Sequence, residues 1–302
     1  MCVVESDAPT AERAPLVGRG ARRRRSFEGW LWLTPAAIYF LVLFLIPVGI
    51  LVGYSFYSVE SLRPVADFTF DNYGEVATNP IFRSIFVRTL RMAAIISFVV
   101  VAVSFPFSYL ITYVFPRRRQ FLYFLVLVSL FGGYLVRIYA WRTMLGRNGV
   151  INQGLMAFEV IDEPSRQLLN SQFAIIIVLV NFLIPLGVLP IYSAMQNISP
   201  NLIAAAQDLG SSRLHAALKI VLPLSMGGVR AAFAFSFILT AAEWVTASLV
   251  GGVRDQMIGN QIVYQFGSNF NWPLGSALAI SLVLVAVAII AVFFVLLRWL
   301  SR

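Results

Sequence analysis

Charge is the first thing this sequence has little of. Only 12% of its 302 residues are Asp, Glu, Lys or Arg, where a soluble domain carries about 25%. A soluble chain of this length could bury a large core, but it would still need a charged surface, so a water-soluble globular protein is a poor fit. Histidine, cysteine and lysine each occur once, as His215, Cys2 and Lys219. One histidine rules out paired-histidine metal sites and confines any histidine-assisted triad to its own neighbourhood. His215 reads instead as a polar residue on a cytosolic helix. One cysteine rules out an intrachain disulfide. A phosphate-binding P-loop needs a lysine at the end of a glycine-rich loop. Lys219 follows Arg213-Leu214-His215-Ala216-Ala217-Leu218, which has no glycine. No catalytic residue, metal site or cofactor is therefore expected.

What the chain does have is apolar length. Hydrophobic residues make up 59% of it, in runs near the ~20 residues that a helix needs to cross a bilayer core. The runs place spans near 30–53, 92–115, 121–145, 173–194, 229–250 and 274–297. None shows the alternation of a barrel strand, and helices satisfy their own backbone groups where lipid cannot. The expected fold is all-α and polytopic, with about six transmembrane helices. The segment from Arg22 to Ile50 starts with a basic cluster, but its apolar run is long and ends in Pro47-Val48-Gly49. It reads as a retained first span rather than a cleaved signal. The layout is then an Arg-rich cytosolic tail at 1–28, a first span at 29–58, an external segment at 59–91 and a five-span core at 92–300.

The net charge of +9 does not point to nucleic acid, because the basic residues gather at the ends of apolar runs rather than on one face. With the N-terminus inside, cytoplasmic segments hold thirteen basic residues: Arg13, Arg19, Arg22 to Arg25, Arg117 to Arg119, Arg213, Lys219, Arg298 and Arg302. External segments hold six, namely Arg63, Arg83, Arg88, Arg147, Arg166 and Arg254. The positive-inside rule then puts both termini in the cytoplasm. The tail would associate with anionic lipid at the surface.

The most informative stretch lies between the fourth and fifth spans, over 197–223. Ser199 is a natural N-cap and Pro200 a natural first helical residue. Gly210 can take the left-handed conformation that ends that helix. Ser211 or Ser212 can cap a second helix, which Pro223 helps to bound. Ala204, Ala205 and Ala206 are small enough to let another surface approach closely. By spacing alone, this helix–turn–helix is either a docking element or an amphipathic connector lying on the membrane.

The loop resembles the signature of bacterial ABC importer permeases: Glu-Ala-Ala, three residues, Gly, nine residues, Ile, one residue, Leu-Pro. Gly210, Ile220, Leu222 and Pro223 fall at the family spacing, Ala205 and Ala206 fill the alanine positions, and Asp208 lies inside the motif. Ala204 stands where the family usually has Glu, which removes one docking ion pair but not the helix–turn–helix. The resemblance implies a type I importer fold, with this loop as the coupling helix seated on a separate ATPase subunit. A second resemblance covers later spans. Arg137-Ile138-Tyr139-Ala140-Trp141, then Leu145-Gly146-Arg147-Asn148-Gly149-Val150-Ile151-Asn152, is similar to permeases of the spermidine/putrescine branch. So are Gly251-Gly252 and Asn271-Trp272-Pro273-Leu274-Gly275. This implies two ATPase subunits, a second permease subunit that is a paralogue or another copy, an extracytoplasmic substrate-binding protein and a bacterial inner membrane. Polyamines are the implied substrates, with ferric ion, thiamine, opines and phosphonates as the family's alternatives.

A polyamine path should offer carboxylates, carbonyls or aromatic faces. Glu243-Trp244 supplies both a carboxylate and a ring. In a fifth span starting near 227, Glu243 would sit about 24 Å along the helix. A carboxylate there must face the bundle or a wet cavity, and it could either line a cation path or neutralise Arg137. Arg137 and Arg142 read as positioning groups at the outer interface. Tyr139 and Trp141 are further pathway candidates. Asn181, about 12 Å into the fourth span, either lines the path or bonds a neighbouring helix. The rival is an ion-driven secondary transporter, which favours inverted repeats and buried coupling carboxylates. No repeat is legible, and Glu243 is the sole carboxylate within the spans.

Overall fold

The computed structural model describes residues 34–60, 63–165 and 168–300, with side chains as far as Leu296. The tail at 1–28, Arg166 and Arg302 lie outside the described residues, as does the side chain of Arg298. The chain forms two compact units, one ending at Leu51 and one starting at Val52.

Helix α1, Thr34–Tyr54, is the first span. It widens into a π-type turn at Leu41–Leu45, where the Ile46 N–H reaches back to the Leu41 carbonyl. The cause is Pro47, which has no N–H for the carbonyl four residues before it, so the helix re-pairs one residue further back.

The second unit opens on a hairpin of β1, Ser58–Glu60, and β2, Arg63–Val65, with Val59 opposite Pro64. Helix α2, Asp71–Thr78, follows, then the long α3, Pro80–Val114. Helix α3 starts well before 92, where apolar content alone begins the span. The Asn79 side chain accepts from the Ile81 N–H at 2.9 Å, with Pro80 as the first helical residue. Its first turns carry Arg88, whose guanidinium donates to the Arg254 and Gln256 carbonyls, and Arg91, which donates to the Gln172 side chain at 3.1 Å. Arginines interrupt the apolar run without interrupting the helix.

The expected third span is two helices, α4 at Arg119–Leu130 and α5 at Tyr134–Leu145, bent at Phe131 to Gly133. The angle between the Pro116–Leu130 and Tyr134–Ala157 arms is 87°. Gly133 takes φ +67° at the corner, a left-handed conformation that a Cβ disfavours. A short α6, Val150–Ala157, leads to α7, Gln172–Gln196, capped by the Ser171 hydroxyl at 3.2 Å. Next come α8, Pro200–Asp208, α9, Arg213–Leu224, and α10, Met226–Ala241. Helices α9 and α10 meet at 75°. Pro223 therefore does not end the second helix of the loop. As at Pro47, a π-type turn, Ala217–Val221, precedes the proline and the helix runs on to Leu224. The last elements are α11, Val245–Val250, α12, Ile258–Gly267, and α13, Trp272–Leu300.

Among the described residues four helices (α1, α3, α7 and α13) are long and apolar enough to cross a membrane, and six spans result if each bent pair counts as one. The centre of the second unit is α3, α7 and α10 packed on one another. Small residues permit the close approach, as expected where lipid removes the hydrophobic drive between helices. A Cβ on Gly187 would lie 2.6 Å from the Ser104 hydroxyl, and one on Gly228 would lie 2.4 Å from the Pro190 carbonyl oxygen. Hydroxyls of α3 tie it to α7: Ser104 donates to the Ile184 carbonyl at 3.1 Å and Tyr113 to the Met195 carbonyl at 3.0 Å. Such interhelical bonds average about 0.6 kcal/mol. Helix α13 joins through Phe293, stacked on Phe233 of α10 at 3.9 Å.

Candidate functional site

Two places in the second unit gather the residues that sequence singles out. The first is the α8–α9 loop. The Ser199 hydroxyl accepts from the Asn201 N–H at 3.4 Å, and the Ser212 hydroxyl caps α9 through the His215 N–H at 3.2 Å. Between the helices the Ser211 N–H bonds the Ala206 carbonyl and the Gly210 N–H the Gln207 carbonyl, both at 2.9 Å, with Gly210 at φ +87°. Paired bonds of this kind around a left-handed glycine form a Schellman turn.

One face of the loop is anchored and the other is bare. Ile203, Ala216 and Val221 are buried with Ile191, Met195 and Val229, and Ala206, Ile220 and Leu222 pack against that cluster. Ile220 and Leu222 thus root the loop in the span ends. Ala204, Ala205, Asp208 and Pro223 are exposed. So are Leu209, at 89%, and Leu214, at 69%. Both leucines thus present apolar surface that no described part of this chain covers.

The second place is the end of the fifth span. Helix α10 stops at Ala241 and α11 begins at Val245, so Glu243 stands on non-helical backbone rather than partway along a continuous helix. Irregular backbone leaves polar groups that need partners from elsewhere in the fold. Here α12 closes over the break. The Asn260 amide donates to the Trp244 carbonyl at 3.0 Å and to the Ser248 hydroxyl at 2.7 Å. Gly259 lies so close that a Cβ would come within 2.9 Å of the Glu243 carbonyl oxygen.

The Glu243 carboxylate accepts from the Thr246 N–H at 2.9 Å, a favourable place for negative charge at the start of α11. The Tyr134 hydroxyl bonds Thr246 Oγ1 at 2.7 Å and also faces Glu243. Arg137 does not pair with Glu243. Its Nη2 donates to the Ser129 carbonyl at the end of α4, its Cζ sits 5.5 Å from the centre of the Phe182 ring, and its Nη1 is buried without a partner. That placement explains the alternative the structure removes. Arg137 is drawn to the free carbonyls at the α4 end, where a cation suits the helix dipole, and holds the bend instead of neutralising the acid.

The remaining candidates separate. Trp141 donates to Asn181 at 3.3 Å, joining α5 to α7, so Asn181 bonds a neighbouring helix while staying exposed. Tyr139 is exposed apart from both groups. Sequence reasoning missed Tyr134, Thr246 and Asn260. The Gly132-Gly133 pair before Tyr134 was the available sign of a bend that would turn that hydroxyl toward another span.

Residues 121–302 match the family described as binding-protein-dependent transport system inner membrane component. The chain belongs to that family. The permease is 31% identical, over 265 residues, to the spermidine/putrescine transport system permease protein PotB of Haemophilus influenzae, covering 87% of this chain and 92% of that one. It is 31% identical over 264 residues to PotB of Escherichia coli, covering 87% and 95%. The inner membrane ABC transporter permease YdcU of Escherichia coli is 27% identical over 292 residues. Among solved structures, a chain of a bacterial alginate ABC transporter in complex with an alginate pentasaccharide-bound periplasmic protein superposes with a TM-score of 0.72. That likeness covers 94% of this chain and 98% of that one at 15% identity, so it speaks to fold alone. The permease is a multi-pass inner-membrane importer subunit of the ABC type.

Proposed function

We propose that the permease carries polyamines into the cell as the membrane subunit of an ATP-driven importer, with both termini in the cytoplasm. It works beside a second permease, two ATPase subunits and an extracytoplasmic substrate-binding protein. The observation that carries this reading is the α8–α9 loop, with one face rooted by Ile203, Ala216 and Val221 and the other baring Leu209 and Leu214. Such a surface can receive movement from an ATPase and pass it to α10, because α9 runs to the 75° bend that starts that span. The substrate class is supported by the PotB proteins, which match across most of both chains. Transport proceeds by alternating access, and substrate shifts the conformational balance only as far as it binds the two states differently. Glu243 supplies negative charge beside the path, and no group for ATP chemistry belongs to this chain.

Reconstitution of the purified permease with its cognate ATPases and binding protein tests this. ATP-dependent uptake of labelled spermidine or putrescine is expected, while the isolated chain hydrolyses no ATP. Uptake driven by an ion gradient without ATPase, or titratable hydrolysis by the chain alone, would sink the reading.

A further inference from the structure

Glu243 and Trp244 are adjacent in the break but serve different neighbours. Glu243 meets Thr246 and Tyr134. Trp244 lines a separate cavity of about 560 Å³ between α11 and α12, with Ser248, Asn260, Gln261, Val263 and Tyr264. Trp244 is 43% exposed and Tyr264 51%, so both rings offer surface to an occupant.

The geometry points to a transit site for an alkylammonium chain in this cavity, an inference that rests on the polyamine reading above. No side chain of the lining carries a charge. That disfavours a ferric ion, which needs hard anionic oxygen ligands, and a phosphonate, which needs arginine or lysine donors. Part of the lining's amide hydrogen is already committed, although among the described residues the Gln256 side-chain amide accepts a bond and donates none. Asn260 uses its two on Trp244 and Ser248, and Gln261 donates to the Gln256 side chain at 2.8 Å. Among the described residues the Gln261 side-chain oxygen and the Tyr264 hydroxyl have no bond of their own. An ammonium has three donors and no acceptor, so it complements these oxygens. Trp244 and Tyr264 offer ring faces to its charge, and Val263 offers apolar surface to its methylenes. The absence of a carboxylate is itself suited to transit, since a substrate must leave as readily as it enters.

The test uses the complete transporter in proteoliposomes, with saturating spermidine-loaded binding protein, and reads uptake per ATP hydrolysed alongside assembly yield. Trp244→Leu and Tyr264→Leu are each expected to lower that ratio about threefold to thirtyfold, the span of a cation–π contact from exposed to desolvated. Tyr264→Phe, which keeps the ring but loses the hydroxyl oxygen, recovers part of the loss. Gln261→Lys adds a like charge while leaving both rings in place, and it should lower the ratio by roughly tenfold or more. It decides the matter should a leucine variant fail to assemble. If the unaltered transporter takes up no spermidine, the polyamine reading fails and the cavity assignment with it. If it does, and Gln261→Lys and the assembled leucine variants match it, the cavity assignment alone is overturned.

Discussion

Gly210→Val is expected to reduce transport roughly tenfold or more while the permease still inserts and accumulates at normal levels. Gly210 holds φ +87° in the Schellman turn between α8 and α9. A non-glycine residue there costs about 1–2 kcal/mol, and a β-branched one is a genuine outlier. A Cβ on Gly210 would meet nothing within 4 Å, so the harm is conformational rather than a clash. That gives the prediction a graded form. Asn tolerates the left-handed region and should transport nearly normally, Ala should be intermediate and Val worst. The turn is exposed and joins two capped helices, so the buried cluster beneath it should hold and assembly should persist. ATP-dependent uptake and membrane abundance measured across the three variants provide the check. Normal uptake by Gly210→Val would show that the turn, or its part in coupling, has been misread.

The spans were legible because apolar length is a one-dimensional signal. The ends of α7 at Gln172 and Gln196 fall close to the 173–194 run for that reason. The bends were less so. Hydropathy is continuous across Phe131-Gly132-Gly133, and only the glycines mark the corner. At the fifth span Pro223 marked a boundary, but the π-type turn before it absorbs the missing hydrogen bond and the corner falls later, at Ser225. The early start of α3 at Pro80 was hidden because Arg83, Arg88 and Arg91 lower hydropathy without lowering helix propensity.

The α8–α9 loop was readable almost residue by residue, since caps and a left-handed glycine act over three or four positions. The Glu243 site was not. Placing it by rise per residue assumed an unbroken helix, yet α10 ends at Ala241. The tyrosine beside it, Tyr134, bonds Thr246 from a distant span and is brought there by a bend that no local pattern specifies. Pairing by opposite charge, Glu243 with Arg137, ignored the competing attraction of the free carbonyls that end α4.

Those contacts set the expected behaviour of Glu243 variants. Glu243→Gln keeps an oxygen for the Thr246 N–H, but it deletes the charge. Uptake of a polyamine should fall roughly tenfold, the scale of one charge-assisted bond, with assembly preserved. Glu243→Ala removes the acceptor as well. Thr246 is fully buried, and leaving its N–H unpaired costs about 1–3 kcal/mol, so assembly should fall too. Arg137→Gln should act separately, by loosening the α4 end where its guanidinium meets the Ser129 carbonyl and the Phe182 ring. Because Glu243 and Arg137 share no direct bond, the double variant Glu243→Gln with Arg137→Gln should show no recovery, its loss being at least as large as the larger of the two single losses. A buried ion pair behaves in the opposite way. Breaking it from one side costs about 3–5 kcal/mol, and removing the second charge restores much of the loss. Assembly yield and uptake across the two-by-two set separate the cases. Recovery in the double variant would reinstate the ion pair, and full uptake by Glu243→Gln in a stable complex would remove Glu243 from the path.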